Sequence, residues 1–223
     1  MNLILPIALC FIPVVICFFI FTFCFKLKIL HQRVALVLAL ICVLPISVVQ
    51  YFLGMVPFFH SNKLILILVK SILLYGLVEE GMKFGFCNVL PSKNLSLRNF
   101  LFLSFFMGMS LGCFESVIYF LDNIQKVSGG IGESEIIYPV LFTRMITADL
   151  IHAACAGLLG IFIFEAREKN YHILLLIMPV VIHGVYDFFA CWNSWLKFFS
   201  IAVMLYALIE CRVRYSMYNI EEK

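Results

Sequence analysis

Leu64–Leu90 reads LILILVKSILLYGLVEEGMKFGFCNVL. A helix needs about 20 apolar residues to cross the hydrocarbon core of a bilayer, and this run is long enough. Yet Glu79, Glu80 and Lys83 stand inside it. It reads as a membrane span with charges placed where lipid tolerates them least. The whole sequence has the same character. Hydrophobic residues make up 64% of the 223, charged residues only 13%, and the mean hydropathy is +1.06. A soluble domain is about a quarter charged, so lipid is the natural solvent of this chain. That excludes a secreted disulfide scaffold, a disordered regulator and a free nucleic-acid binder. The net charge of +3 points to no polyanionic partner, and no nucleic acid is expected.

Reading outward from Leu64–Leu90, six more runs qualify as spans: Leu3–Phe25, Val34–Leu53, Phe100–Leu121, Tyr138–Phe164, His172–Ala190 and Lys197–Glu210. Leu3–Phe25 is too long for a signal-peptide core and no Lys or Arg precedes it, so a first span is expected there. Loops that face the cytoplasm are enriched in Lys and Arg. Lys26, Lys28, Arg33, Lys93, Arg98, Arg167, Lys169, Arg212, Arg214 and Lys223 fall on one side, against Lys63, Lys126 and Lys197 on the other. Strict alternation needs all seven crossings, with the N-terminus outside. The expected fold is all-α: a polytopic transmembrane helical bundle forming one integral membrane domain over residues 1–223. The longest connection, Asp122–Ile137, carries Glu133 and Glu135 and is broken by Gly129 and Gly130.

The nine cysteines form no C-x-x-C pair, which argues against zinc or disulfide frameworks. In apolar runs cysteine behaves as a small hydrophobe. Cys10, Cys17 and Cys24, seven apart, are expected to share one helical face.

The informative residues are the ionisable ones inside the spans. At mid-bilayer an Arg, Lys or Asp costs at least ~2.5 kcal/mol on insertion scales, and such groups are functional candidates by default. Lys70 lies near the end of its span and can snorkel outward. Lys83 is three residues from Glu80 and four from Glu79, so it can pair with either on a helix. A buried ion pair would account for Lys83 and one glutamate, leaving the other free to face a cavity. In the next span Gly108 and Gly112 share a face and admit a close neighbour. Glu115, one turn on, has no basic partner on its own helix and calls for a metal, a proton or a cation from elsewhere. Asp149 lies three residues before His152 and could orient its ring. Arg144 precedes both, toward the outer end. His183 and Asp187, four apart, share a face at a spacing that suits two metal ligands. Four neighbouring spans with Glu, His or Asp near mid-depth can satisfy one another only by converging.

The order of these motifs carries a resemblance. Glu79-Glu80-x-x-Lys83, then Gly108-x-x-x-Gly112-x-x-Glu115-Ser116-x-x-Tyr119, then Arg144 with His152, then His183-Gly184-x-Tyr186-Asp187-Phe188 resemble the PrsW family of intramembrane proteases. That family is distantly similar to the CAAX-type prenyl-protein endopeptidases, whose first motif is also a double glutamate. The resemblance covers about residues 64–189, the protease-like core. Ser116 departs from the Asn expected after the glutamate. The resemblance implies hydrolysis of a peptide bond in a single-span membrane protein, within or at the edge of the lipid. The family's named member acts on an anti-sigma factor, which is regulated proteolysis. The implied location is a cell membrane, multi-pass, in the bacterial cytoplasmic membrane. By similarity to the prenyl endopeptidases Glu79 would be the general base, with Glu80 paired to Lys83.

Elementary chemistry agrees with hydrolysis. Two histidines and a carboxylate can bind Zn²⁺ and leave a position for water. His152 and His183 with Glu115 or Asp187 have that chemistry, with Glu79 or Glu80 as base. A metal-free route is equally physical: a glutamate and His152 activate water, and His183 with a neighbour stabilises the oxyanion. Arg144, Asp149, Tyr119 and Lys83 would support either. No H-E-x-x-H occurs, which argues against a standard zincin. The competing class is proton- or ion-coupled transport through the same buried residues.

Overall fold

A computed structural model describes residues 3–93, 95–131, 135, 137–167, 172–192 and 194–221. The described residues form helices joined by short turns, with no strand among them. Lys169 and Lys223, counted for orientation, and Glu133 of the longest connection lie outside the described residues.

The first expected span is two helices, α1 (Ile4–Cys10) and α2 (Ile12–Phe23), bent by 42°. Pro13 stands in the first turn of α2 and has no N–H to continue the ladder across the joint. The bend undoes the common face expected of the cysteines. Cys10 is buried, Cys17 half-buried, and Cys24, beyond the end of α2, is exposed. α3 (Ile29–Gly54) contains Pro45. The run that opened the sequence reading is helical from end to end but changes pitch. α4 (Leu64–Lys70) passes through a π-helical stretch, Ser71–Leu77, into α5 (Val78–Val89).

α6 (Leu97–Ser128) starts under a Ser96 side-chain cap on the Asn99 N–H and runs a turn and more past Leu121. Its extension carries the exposed Asp122–Lys126 pair, at 2.6 Å, and ends at Gly129 and Gly130. Gly130 has φ 73°, a left-handed conformation that glycine adopts without strain. The fifth expected span is divided at Thr147 into α7 (Ile137–Ile146) and α8 (Ala148–Arg167). α9 (Leu174–Ala190) and α10 (Phe198–Glu221) follow, the last continuing well beyond the expected end at Glu210 through Arg212 and Arg214.

Among the described residues, three helices are long and apolar enough to cross a membrane: α3, α6 and the joined α7–α8. The bent α1–α2 pair makes a fourth. α9 is shorter, the 64–89 run is divided by its π-helical stretch, and α10 carries three charges in its middle. The protein is thus a multi-pass membrane protein.

The buried share of the span window rises from 22% in α3 to 67% in α6 and 89% in α7–α8, so α6 and α8 form the centre. Small residues make their contact possible. A Cβ on Gly108 would collide with the His152 carbonyl oxygen and lie 2.6 Å from Ala156 Cβ; one on Gly112 would lie 2.8 Å from Asp149 Cα. The 64–89 run touches α9 in the same way. A Cβ on Gly184 would meet Ile72 Cα at 2.5 Å, and one on Gly76 would collide with the Val180 carbonyl oxygen. These two backbone contacts bring His152 toward α6 and His183 toward the glutamates of α5.

Candidate active site

Glu79, Glu80, Lys83, His152 and His183 are all buried, and Glu115, Arg144 and Asp187 partly so. They come from α5, α6, α7, α8 and α9 and meet in one cluster. On the α5–α9 side Lys83 Nζ donates to Glu80 Oε1, and His183 Nδ1 donates to the same oxygen at 2.6 Å. On the α6–α8 side His152 Nε2 lies 2.5 Å from Glu115 Oε2, which also accepts from Arg144 at 3.2 Å. The Arg144 guanidinium stacks on Tyr119, 3.7 Å from the ring centroid, where it gains a cation–π contact.

Lys83 joins the two sides, since its Nζ also lies 3.0 Å from His152 Nδ1. An ammonium only donates. His152 Nδ1 therefore accepts, and its Nε2 carries the hydrogen given to Glu115. The two imidazoles meet edge to face, with centroids 4.7 Å apart.

Glu79 stands between the two sides. Its Oε1 accepts from Gln50 Nε2 of α3 at 2.8 Å. Its Oε2 is buried and accepts no hydrogen bond among the described residues. That oxygen lies 3.5 Å from His183 Nε2 and 3.7 Å from His152 Nδ1. A cavity of about 280 Å³ lies beside Glu79, walled by Gln50, Tyr75, Glu115, Tyr119, Arg144, Tyr186 and Asp187 among others. Glu79 is part of that wall, and Glu80 is not.

One expectation is corrected. Asp149 does not orient His152: its Oδ1 accepts from Ser116 at 3.0 Å and its Oδ2 faces Cys113, because both His152 nitrogens are already engaged by Lys83 and Glu115. Glu79 also stands with the two histidines, beside Glu115 and Asp187. One ligand atom each from Glu79, His152 and His183 lie within 4.8 Å of one another. Glu115 Oε2 holds both His152 Nε2 and Arg144, and Asp187 Oδ2 stands 3.6 Å from His183 Nε2.

Two buried imidazoles and a carboxylate oxygen without a hydrogen bond match the donor types of zinc. The residues fit a divalent metal, with one competition built in. The His152 nitrogen on the Glu79 side is the one that accepts from Lys83, so a metal there would displace the ammonium.

Among known families, residues 29–210 match the one described as PrsW family intramembrane metalloprotease. The chain belongs to the PrsW family. No curated protein and no solved structure matches it. It is an intramembrane protease, and a protein substrate in a membrane setting follows. The match extends beyond residues 64–189, the stretch that carries the motifs, and takes in α3 and the first half of α10. In this PrsW protein α3 supplies Gln50, the residue missed in the sequence. Its only signal was an uncharged amide near the end of an otherwise apolar span.

Proposed function

We propose that this protein is an endopeptidase that hydrolyses a peptide bond of a single-span membrane protein, with Glu79 Oε2 as its working oxygen. One observation carries the reading: that oxygen is buried, accepts no hydrogen bond among the described residues and faces both imidazoles, on a residue that lines the cavity. Glu80, Lys83 and His183 hold the floor of the site, and Arg144 with Tyr119 shapes its open side.

Glu79, His152 and His183 would hold Zn²⁺, which when bound supplies the positive charge that activates a water and stabilises a developing oxyanion. The description of the family as metalloproteases and the donor set support this reading. His183 Nδ1 is held by Glu80, which leaves Nε2 toward Glu79; a carboxylate behind a ligating imidazole is a common orienting device. Asp187 and Glu115, on the cavity wall, are the carboxylates available to take a proton from an entering water.

The Lys83 contact to His152 Nδ1 favours a second route that uses the side chains alone. Glu79 Oε2 takes a proton from water, and the water oxygen adds to the scissile carbonyl carbon. The C–N bond then breaks as Glu79 returns the proton to the leaving amine. The proposal includes seven crossings with the N-terminus outside, one membrane domain with its protease core in about residues 64–189, and a bacterial cytoplasmic membrane.

The test is cleavage of a purified single-span substrate in liposomes, with and without chelator. Chelator-sensitive cleavage restored by Zn²⁺ supports the metal reading. Chelator-resistant cleavage that still requires Glu79 supports the second route. Cleavage that survives Glu79→Gln rejects both.

A further inference from the structure

We infer that Gln50 is a positioning residue for the reaction, fixing which oxygen of Glu79 does the work. The inference rests on the reading of Glu79 as the working carboxylate. Gln50 lies in the last turn of α3, the least buried of the three long spans. An amide in that setting is costly unless it finds a partner. Its partner is the Glu79 carboxylate: Nε2 donates to Oε1 at 2.8 Å. A carboxylate only accepts, which assigns the amide nitrogen to this contact.

The contact divides the two oxygens of Glu79 by task. Oε1 is committed to Gln50. Oε2 accepts no hydrogen bond among the described residues and is directed at His183 Nε2 and His152 Nδ1. A proton or a metal arriving at Glu79 therefore meets Oε2, and the Gln50 bond survives its arrival because Oε1 remains an acceptor. Without the amide, the carboxylate is free to rotate about its last torsion and offer either oxygen, or to swing into the cavity it borders. Gln50 also lines that cavity and is only half-buried, so its side chain contributes little packing of its own. The cations nearby are otherwise engaged: Lys83 is held by Glu80 and His152, and Arg144 by Glu115 and Tyr119.

The test compares wild type, Gln50→Leu, Gln50→Glu and Glu79→Gln in liposomes, with kcat and KM measured separately. Leucine keeps most of the volume and removes the donor. Loss of such an orienting partner lowers activity by about 10- to 100-fold. The loss is expected in kcat with KM unchanged, because the Gln50 bond acts on the reacting group rather than on substrate binding. Gln50→Glu, which sets a second carboxylate against Oε1, is expected to fall at least as far. The melting temperature of Gln50→Leu should stay near that of wild type. Equal kcat for wild type and Gln50→Leu, with Glu79→Gln inactive, overturns the role of Gln50 and leaves the protease reading standing. A wild type no faster than Glu79→Gln overturns the proposed function instead. Gln50 is then judged without turnover, by the infrared carboxyl band identified as wild type minus Glu79→Gln. A shift of that band in Gln50→Leu supports the contact, and an unmoved band overturns it.

Discussion

The two sides of the site are built alike and behave differently. Each joins one carboxylate to one cation and one imidazole: Glu80 with Lys83 and His183, and Glu115 with Arg144 and His152. The first ion pair is wholly buried, both side chains at 0% exposure, whereas the second is 18% exposed on each partner. The buried pair has no solvent to fall back on, so it anchors. The open pair borders the cavity and can rearrange around a substrate. Glu79 lies between them with a neutral amide on one oxygen, and that imbalance is what the proposed mechanism uses.

The largest expected effect breaks the anchoring side. Lys83→Met leaves Glu80 buried without its cation and should destabilise the fold by about 3–5 kcal/mol, measured by unfolding in detergent. Adding Glu80→Leu should recover much of that loss. Gly108→Val comes next. Its side chain must enter the space held by the His152 carbonyl and Ala156, which should cost about 1–3 kcal/mol and impair proteolysis by shifting His152. Gly81→Ala, which meets nothing within 4 Å, is the control and should be neutral or slightly stabilising. Arg144→Met should cost less than Lys83→Met, since the pair it breaks borders the cavity and is less buried. It should lower cleavage much more than stability, which would sharpen the contrast between the sides. Cys24→Ser, at an exposed position, should stay within about 0.5 kcal/mol of wild type and cleave normally.

The convergence of the four motif-bearing runs was legible because charges in lipid must find each other. Glu79 and Glu80 of one helix and Glu115, His152 and His183 of three others lie near the middle of their runs, and a shared cluster is the inexpensive solution. The polytopic all-helical character followed from the apolar runs alone. What stayed hidden depends on which helix lies beside which. Gln50 carries no charge, so nothing in its own span flags it; only the approach of α3 to α5 gives it meaning. Asp149 suggested His152 by spacing, yet Ser116 on the neighbouring helix was the nearer donor. The bend at Phe11, the π-helical stretch before Val78 and the break at Thr147 are local departures inside apolar runs that remain uniformly hydrophobic. Three or four helices long and apolar enough to cross, where seven crossings were expected, follow from those interruptions together with the short α9 and the charges of α10.

The proposed mechanism stands on Glu79, and not its neighbour in the anchored pair, performing the chemistry. It is tested most directly by cleavage of a single-span substrate in liposomes by wild type and Glu79→Gln, with folding of both verified by thermal melting. The substitution keeps shape and hydrogen bonding but removes a proton acceptor and an anionic ligand. The expected result is a folded protein whose cleavage rate falls by about 10²–10⁴-fold. A folded Glu79→Gln protein that cleaves at the wild-type rate would contradict the account.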